Sequence, residues 1–471
     1  MNTQCTPDLP PFQPLNRRRV QAQFDGGFIS SDGGALLLRE LEQRTGILAR
    51  VAGCFTDYRH PELIEHPVEA LIKQRIYGIA LGYEDLNDHD RLRHDPLLAV
   101  LCDKADPGGQ ERLREQDRGK ALAGKSTLNR LELTPQDAHL KDRYKKIAAD
   151  PAALDALLVG LFLEAHRKAP KRITLDVDAT DDRVHGNQEG RFFHGYYGDY
   201  CYLPLYIFCG DELLCARLRT ADQDGAAGTT DEITRIVAQI RQRWPDVRIL
   251  VRGDSGFCRE DLMVWCEQNR VDYLFGLAKN SRLCEALKLE RALAKLIHDL
   301  KDLPARAFKD FRYQTRTTWS RERRVVGKAE YLDKGDNPRF VVTSLTRRQY
   351  RAQYLYEQLY CARGEMENRI KEQQLDLFAD RTSTHHLYSN QLRLYFASFA
   401  YVLLQALRRL ALRGTDMARA QAGTIRQRLL KLGARITLSV RRIRVALTES
   451  YPWQALFRQV LLRVQALPLR A

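Results

Sequence analysis

Apolar residues recur at helical spacing through the first third of the chain. "HPVEALIKQRIYGIALGY" carries them on one side of a helical wheel, as an amphipathic helix does. "STLNRLELT" predicts a short helix with Ser126 as N-cap, and Pro151 opens another that runs to "RKAPKR". At Ile173 the period changes from helical to alternating. "ITLDVDAT" sets Ile173, Leu175 and Val177 on one face and Thr174, Asp176 and Asp178 on the other, as a half-buried strand requires. A Gly-rich connection over 186–198 leads to two strand-like runs, "YCYLPLYIFCG" and "ELLCARLR".

Thr229 or Thr230 then caps a predicted helix, "DEITRIVAQIRQRW". It is followed by a buried strand "VRILVRGD", a helix over "REDLMVWCEQN", a strand "VDYLFGLA" and a helix from Ser281 to Leu300. Three strands followed by alternating helices and strands is the order expected of a ribonuclease H-like α/β fold. Between 304 and 345 the helical rhythm breaks into an aromatic, Thr- and Val-rich stretch with a turn at "DKGDNP", read as a β insertion. Helix resumes at Arg347 and is expected to persist to the end. The expected organisation is therefore α/β. A mainly helical region, 1–165, precedes an RNase H-like core over 170–303 and 346–400, interrupted by the β insertion 304–345. A basic helical region, 401–471, follows.

Composition sharpens this picture at a few points. At 471 residues, two or three domains are expected. No apolar run is long enough to span a membrane, and the N-terminal stretch lacks the apolar core of a secretory signal. Ten cysteines lie singly, without a C-x-x-C pair, which points away from zinc knuckles and a disulfide framework and toward a reducing cytoplasm. The net charge is +15, and residues 401–471 hold 14 basic side chains, 13 of them Arg, against 2 acidic ones. Arginine in that excess favours bidentate phosphate contacts, so nucleic acid is the expected partner.

Three acids occupy informative places. Asp178 ends the first core strand, Asp254 ends "RILVRGD", and Glu367 lies in the helix after the β insertion. Open α/β sheets gather functional groups at the carboxyl ends of strands. Three hard oxygen ligands there suit Mg²⁺, and a pair of such ions suits phosphodiester chemistry. Each acid also has an ordinary reading: a strand-end Asp caps a turn, and Glu367 can pair with Lys371 at i, i+4. Asp176 shares the face of Asp178 and is the reserve ligand or a supporting partner. Asp181 and Asp182 belong to the turn that follows. "RGDSGF" carries a Gly-Asp-Ser-Gly string like a trypsin-like nucleophile loop, but that chemistry needs an all-β two-barrel fold, which alternating helices and strands exclude.

Together these segments resemble a known family. "LDVDATDDRVHGNQEG" with "FHGYYGDYCYLPLY", then "ILVRGDSGF", then "YCARGEMENRIKEQQLDLFADRTS" with "SNQLRLYFASFAYVLL", are similar to bacterial insertion-sequence transposases of the DDE class. "FDGGFISSDGGALLLRELEQRTGI" and "LLKLGARITLSVRRIR" extend the likeness, which points to the insertion-sequence thirteen-eighty family. The resemblance implies an RNase H-like core with a β insertion. It also implies two Mg²⁺ ions, replaceable by Mn²⁺, held by Asp178, Asp254 and Glu367. The activity implied is cleavage at the inverted repeats of a mobile element and strand transfer to target DNA, by a homodimer on double-stranded DNA. The related Tyr-x2-Arg-x3-Glu-x6-Lys signature falls on Tyr360, Arg363 and Glu367, with Gln374 in the Lys position and Lys371 one turn earlier as a partial replacement. Tyr360, Arg363, Lys371 and Gln374 are the expected DNA contacts. Trp319 in the insertion is either a wedge against an unstacked base or an ordinary packing aromatic. The alternatives are a nuclease of the same fold without strand transfer, and an inactive DNA-binding protein.

Overall fold

The computed structural model describes residues 12–469. Cys5, the start of the N-terminal stretch and the last two residues lie outside the described residues. The chain forms two compact units, one made of the chain up to Ala149 together with the chain from Phe399 onward, the other of Asp150–Ser398.

The second unit is built on a nine-stranded mixed sheet, counted among the described residues. Its main strands are β1 (Arg172–Ala179), β2 (Leu205–Cys209), β3 (Glu212–Arg217), β4 (Arg248–Gly253), β5 (Asp272–Leu277), β6 (Ala305–Tyr313), β7 (Arg323–Leu332) and β8 (Arg339–Thr343). They lie in the order β3-β2-β1-β4-β5-β8-β7-β6, with the two-residue strand Gly335–Asp336 paired to β7. β2 and β3 run antiparallel to their neighbours, β1, β4 and β5 run parallel, and β8, β7 and β6 are antiparallel again. The segment expected as a β insertion thus hydrogen-bonds to the main sheet through β8 on β5.

The alternation read from "ITLDVDAT" governs what covers each face. Ile173, Leu175 and Val177 join Ile249, Val251, Tyr273 and Phe275 in one large core. Helices α1 (Pro151–Ala165), α2 (Thr229–Arg243), α3 (Glu260–Gln268) and α4 (Lys288–Lys301) all contribute buried side chains to that core. On the other face, Leu250, Leu274, Val326 and Val341 pack under Leu355 and Tyr356. Those two residues lie near the start of a helical run, Ala352–Asp376, in which α5 (Gly364–Lys371) is flanked by wide π-type turns and a tight 3-10 turn. The helix α1, expected with the N-terminal region, belongs to the sheet unit because Val159, Phe162 and Leu163 complete its core.

Two expected caps are replaced. The helix Lys125–Glu132 begins one residue before Ser126, with Gly124 at its N-cap, and Asp90 accepts the Lys125 N–H at 3.0 Å. α2 begins at Thr229 after Gly228, whose φ of +72° only glycine adopts without strain, so neither threonine is its cap. The first unit is mainly helical up to Ala149, but its C-terminal part departs from expectation. Ala434–Ser439 and Arg442–Leu447 form a hairpin that pairs with Phe28–Ser30. Ile436 and Leu438 face Val445 and Ile443 across it, so the stretch carries an alternating β pattern that its arginines obscure. Among the described residues no helix is long and apolar enough to cross a membrane.

Candidate active site

Parallel pairing of β1 and β4 sets Val177 beside Gly253, so the chain leaves both strands at the same edge of the sheet. Asp178 stands at one exit and Asp254 at the next. Asp254 Oδ1 accepts the Gly256 N–H at 2.8 Å and so caps the tight turn Ser255–Phe257. Glu367 lies in the first turn of α5 and is about half exposed, whereas the Asp178 side chain is only 14% exposed.

Arg363 joins two of the three acids. Its Nη1 donates to Asp178 Oδ2 and its Nη2 to Glu367 Oε1, both at 3.1 Å. Burial pushes the Asp178 carboxyl up to about 6; Arg363 opposes this, while the charges of Asp254 and Glu367 add to it. Burial lowers the Arg363 guanidinium, yet Asp178, Tyr360, Asp254 and Glu367 together raise it. Tyr360 lies against the Asp254 turn, where β5 makes room for it at Gly276. A Cβ there would stand 2.6 Å from the Tyr360 hydroxyl and 2.7 Å from the Ser255 nitrogen.

The other two expected DNA contacts lie along the same helical run. Lys371 is exposed. Gln374 Nε2 donates to the Asp181 carbonyl at 3.1 Å and to Asp182 Oδ1 at 2.9 Å, so it fastens α5's trailing turn to the loop after β1. Asp182 is fully buried, and burial pushes its carboxyl up to about 8, so it is held as the neutral acid at pH 7. Trp319 is a packing aromatic: it is 6% exposed, edge-on to Tyr313 at 5.8 Å, with Arg323 over its ring.

Sequence reasoning passed over Arg252. This β4 residue pairs bidentately with Asp176, Nε to Oδ1 at 2.5 Å and Nη2 to Oδ2 at 2.7 Å, and Nη1 donates to the Leu359 carbonyl. Asp176 is therefore held in an ion pair, which matches the supporting role named beside that of reserve ligand. An arginine inside the apolar run "RILVRGD" was the available signal, because a buried guanidinium needs a partner.

The donor set suits a hard dication by its chemistry: carboxylate oxygens, with Asp178 under the charge of Asp254 and Glu367 as well as that of Arg363. Among the described residues no three acidic, His or Cys side chains are drawn together as a closed metal cage. Arg363 is instead the cation bridging Asp178 and Glu367.

An α/β sheet with acids at adjacent strand exits defines the class of protein, one whose polar site lies at the carboxyl edge of its parallel strands. The chain belongs to the family described as Transposase DDE domain group 1, which matches residues 12–469. It is thus a transposase by family. A solved piggyBac transposase synaptic complex with hairpin DNA is similar over 85% of this chain and 80% of that one, at 9% identity and a TM-score of 0.38. No curated protein matches the chain.

Two substitutions test this geometry. Gly276→Ala should lower stability by about 1–3 kcal/mol in urea unfolding, since the new Cβ meets backbone as well as the Tyr360 hydroxyl. Asp182→Asn should raise the Tm in a pH-dependent way. The folded state holds the Asp182 proton up to about pH 8 while the unfolded chain releases it near the ordinary carboxylate range, so wild-type stability falls as pH rises between them. The Tm gain of the variant should be small near pH 4 and grow toward pH 8; a constant difference would contradict a buried acid.

Proposed function

We propose that the protein is a bacterial DDE transposase of the insertion-sequence thirteen-eighty family that cuts DNA at the inverted-repeat ends of its element and joins the freed 3′-OH to target DNA. The observation that carries this reading is the meeting of Asp178, Arg363 and Glu367, beside Asp254, in a chain that matches the DDE family along its length. The strand order of β3-β2-β1-β4-β5, with β2 and β3 antiparallel and β4 and β5 parallel to β1, supports an RNase H-like core.

In this reading Asp178, Asp254 and Glu367 would hold two Mg²⁺ ions, for which Mn²⁺ could substitute. When bound, these ions supply Lewis-acid activation of water or a 3′-OH and charge compensation at the phosphodiester. Arg363 offers two N–H groups in a fork that suits a phosphate as well as carboxylates, and Asp178 and Glu367 keep it oriented. Tyr360 brings its hydroxyl to Gly276, against which the Asp254 turn also packs. Gln374 fastens the loop that follows Asp178 and, with the exposed Lys371, completes the proposed DNA contacts. The protein works in the bacterial cytoplasm on nucleoid DNA, and processing paired ends calls for two copies of the chain.

The exposed face of the C-terminal hairpin is suited to grip duplex DNA. Arg435, Arg442 and Arg444 all lie on it, since Thr437 pairs with Arg444 and Ser439 with Arg442 while Ile436 and Leu438 face the core.

Two experiments check the reading. Asp178→Ala, Asp254→Ala and Glu367→Ala should each lower Mg²⁺-dependent cleavage of a matched end duplex by roughly a thousandfold, about 4 kcal/mol of barrier, with end binding retained. Full activity in any variant removes that residue from the site, and nicked products without joined ones would indicate a nuclease. Replacing Arg435, Arg442 and Arg444 by Ala should weaken duplex binding across sequences. It should also flatten the dependence of log K on log salt by about 1 for each phosphate that is no longer neutralised; an unchanged slope would place the grip elsewhere.

A further inference from the structure

Between β1 and β2 the chain builds a small three-stranded sheet. Phe192–His194 pairs with Asp199–Tyr202, which pairs in turn with Asp182–Arg183. Its outer surface is aromatic and uncovered. Phe193 is 58%, Tyr196 86% and Tyr200 46% exposed. Exposed aromatic surface in such density is unusual in a folded chain, and it marks a binding surface more often than an accident.

The rings are arranged rather than scattered. Phe193 and Tyr200 are a directly opposed cross-strand pair with ring centroids 5.6 Å apart, and the Arg191 guanidinium lies 4.7 Å over the Tyr200 ring. Tyr196 packs edge-on to Tyr197 at 5.0 Å, and Tyr197 lies 4.9 Å from the His194 ring. The tip stays open, because nothing comes within 4 Å of where a side chain at Gly195 or Gly198 would begin.

This surface adjoins the candidate active site. Asp182 is four residues beyond Asp178. It pairs with Tyr202 in this small sheet, and the next residue, Arg183, reaches Asp181 at 3.7 Å and Asp199 at 3.4 Å, so the sheet is anchored on the loop that leaves the Asp178 exit. An aromatic platform with a guanidinium on it, beside a phosphodiester site, suits one occupant. Flat rings stack on a nucleobase only where that base has left its own stack, and a guanidinium adds attraction to both base and phosphate. A fully paired duplex offers no free base faces.

We propose that Phe193, Tyr196 and Tyr200 form a stacking platform for unpaired bases of the DNA strand that enters the Asp178 exit. The proposal rests on the DNA-cutting reading of the site and specifies the form of DNA bound beside it. Arg191 holds Tyr200 and the adjacent phosphate, and the strand Asp182–Arg183 joins the platform to the loop after Asp178.

The test uses the full-length protein without Mg²⁺. Two probes are compared, a duplex with an unpaired dT tail of about twelve nucleotides and the same duplex fully paired. The tail carries 2-aminopurine at its first unpaired position. The wild type should bind the tailed probe more tightly and quench its fluorescence. Phe193→Ala/Tyr196→Ala/Tyr200→Ala should lose on the order of tenfold or more of tailed-probe affinity and the quenching, while affinity for the paired probe stays within about twofold. Phe193→Tyr/Tyr196→Phe/Tyr200→Phe, which keeps the rings, should retain both. A wild type that shows no preference for the tail, a triple Ala variant that keeps it, or equal loss on both probes would overturn the proposal. Failure of the DNA-cutting reading shows separately, as absence of Mg²⁺-dependent cleavage by the unmodified protein.

Discussion

One buried guanidinium keys the three segments that carry the candidate site. Arg252 on β4 lies opposite Asp176 on β1 in the parallel register and closes on it bidentately, while its remaining nitrogen holds the Leu359 carbonyl. Asp178 is two residues beyond Asp176, Asp254 two beyond Arg252, and Tyr360 one beyond Leu359. A slip of β1 against β4 by one residue would bury the wrong face of β1 and break this ion pair. Buried ion pairs contribute little net stability, but losing one partner leaves the other charge stranded at a cost of about 3–5 kcal/mol. Its value here is registry: it sets which residues reach the edge of the sheet together.

A second arginine does the opposite work. Arg363 stands among acids that repel one another, and the Asp178 carboxyl is pushed up to about 6 by burial and by its neighbours. Such an arrangement opposes stability at neutral pH, because the unfolded chain ionises the same group freely. Sites that hold charge against burial commonly carry this burden, and the apolar core on the far face of the sheet offsets it. Asp182 and Gln374 complete the loop after β1 with a neutral acid and an amide. The departure from lysine at position 374 is therefore matched by the chemistry beside it.

Much of the second unit was legible in the sequence because its periods are strong. The switch at Ile173 from helical to alternating spacing marks β1, and the apolar runs "RILVRGD" and "VDYLFGLA" mark β4 and β5. The acids at Asp178 and Asp254 were legible as strand-end residues for the same reason. What stayed hidden depends on partners distant in sequence. Asp176 looked like a reserve ligand because its partner Arg252 is 76 positions away. The attachment of β8 to β5, and of the C-terminal hairpin to Phe28–Ser30, is likewise invisible to local patterning. Arginines at alternate positions made that hairpin read as a basic helix. The caps of two helices were misplaced by a residue or so, because Asp90 and Gly228 supply what Ser126 and the threonines were expected to.

The central claim is that Asp178, Asp254 and Glu367 hold divalent metal together. Directed cleavage of the polypeptide by Fe²⁺ replacing Mg²⁺, with ascorbate and peroxide, reads metal position directly, since hydroxyl radicals cut the chain nearest the ion. The account predicts three clusters of cuts, around 178, 254 and 363–367, all suppressed by excess Mg²⁺ and all lost together in Asp254→Ala. Cuts confined to one of these segments, or clusters that survive that substitution, would contradict it.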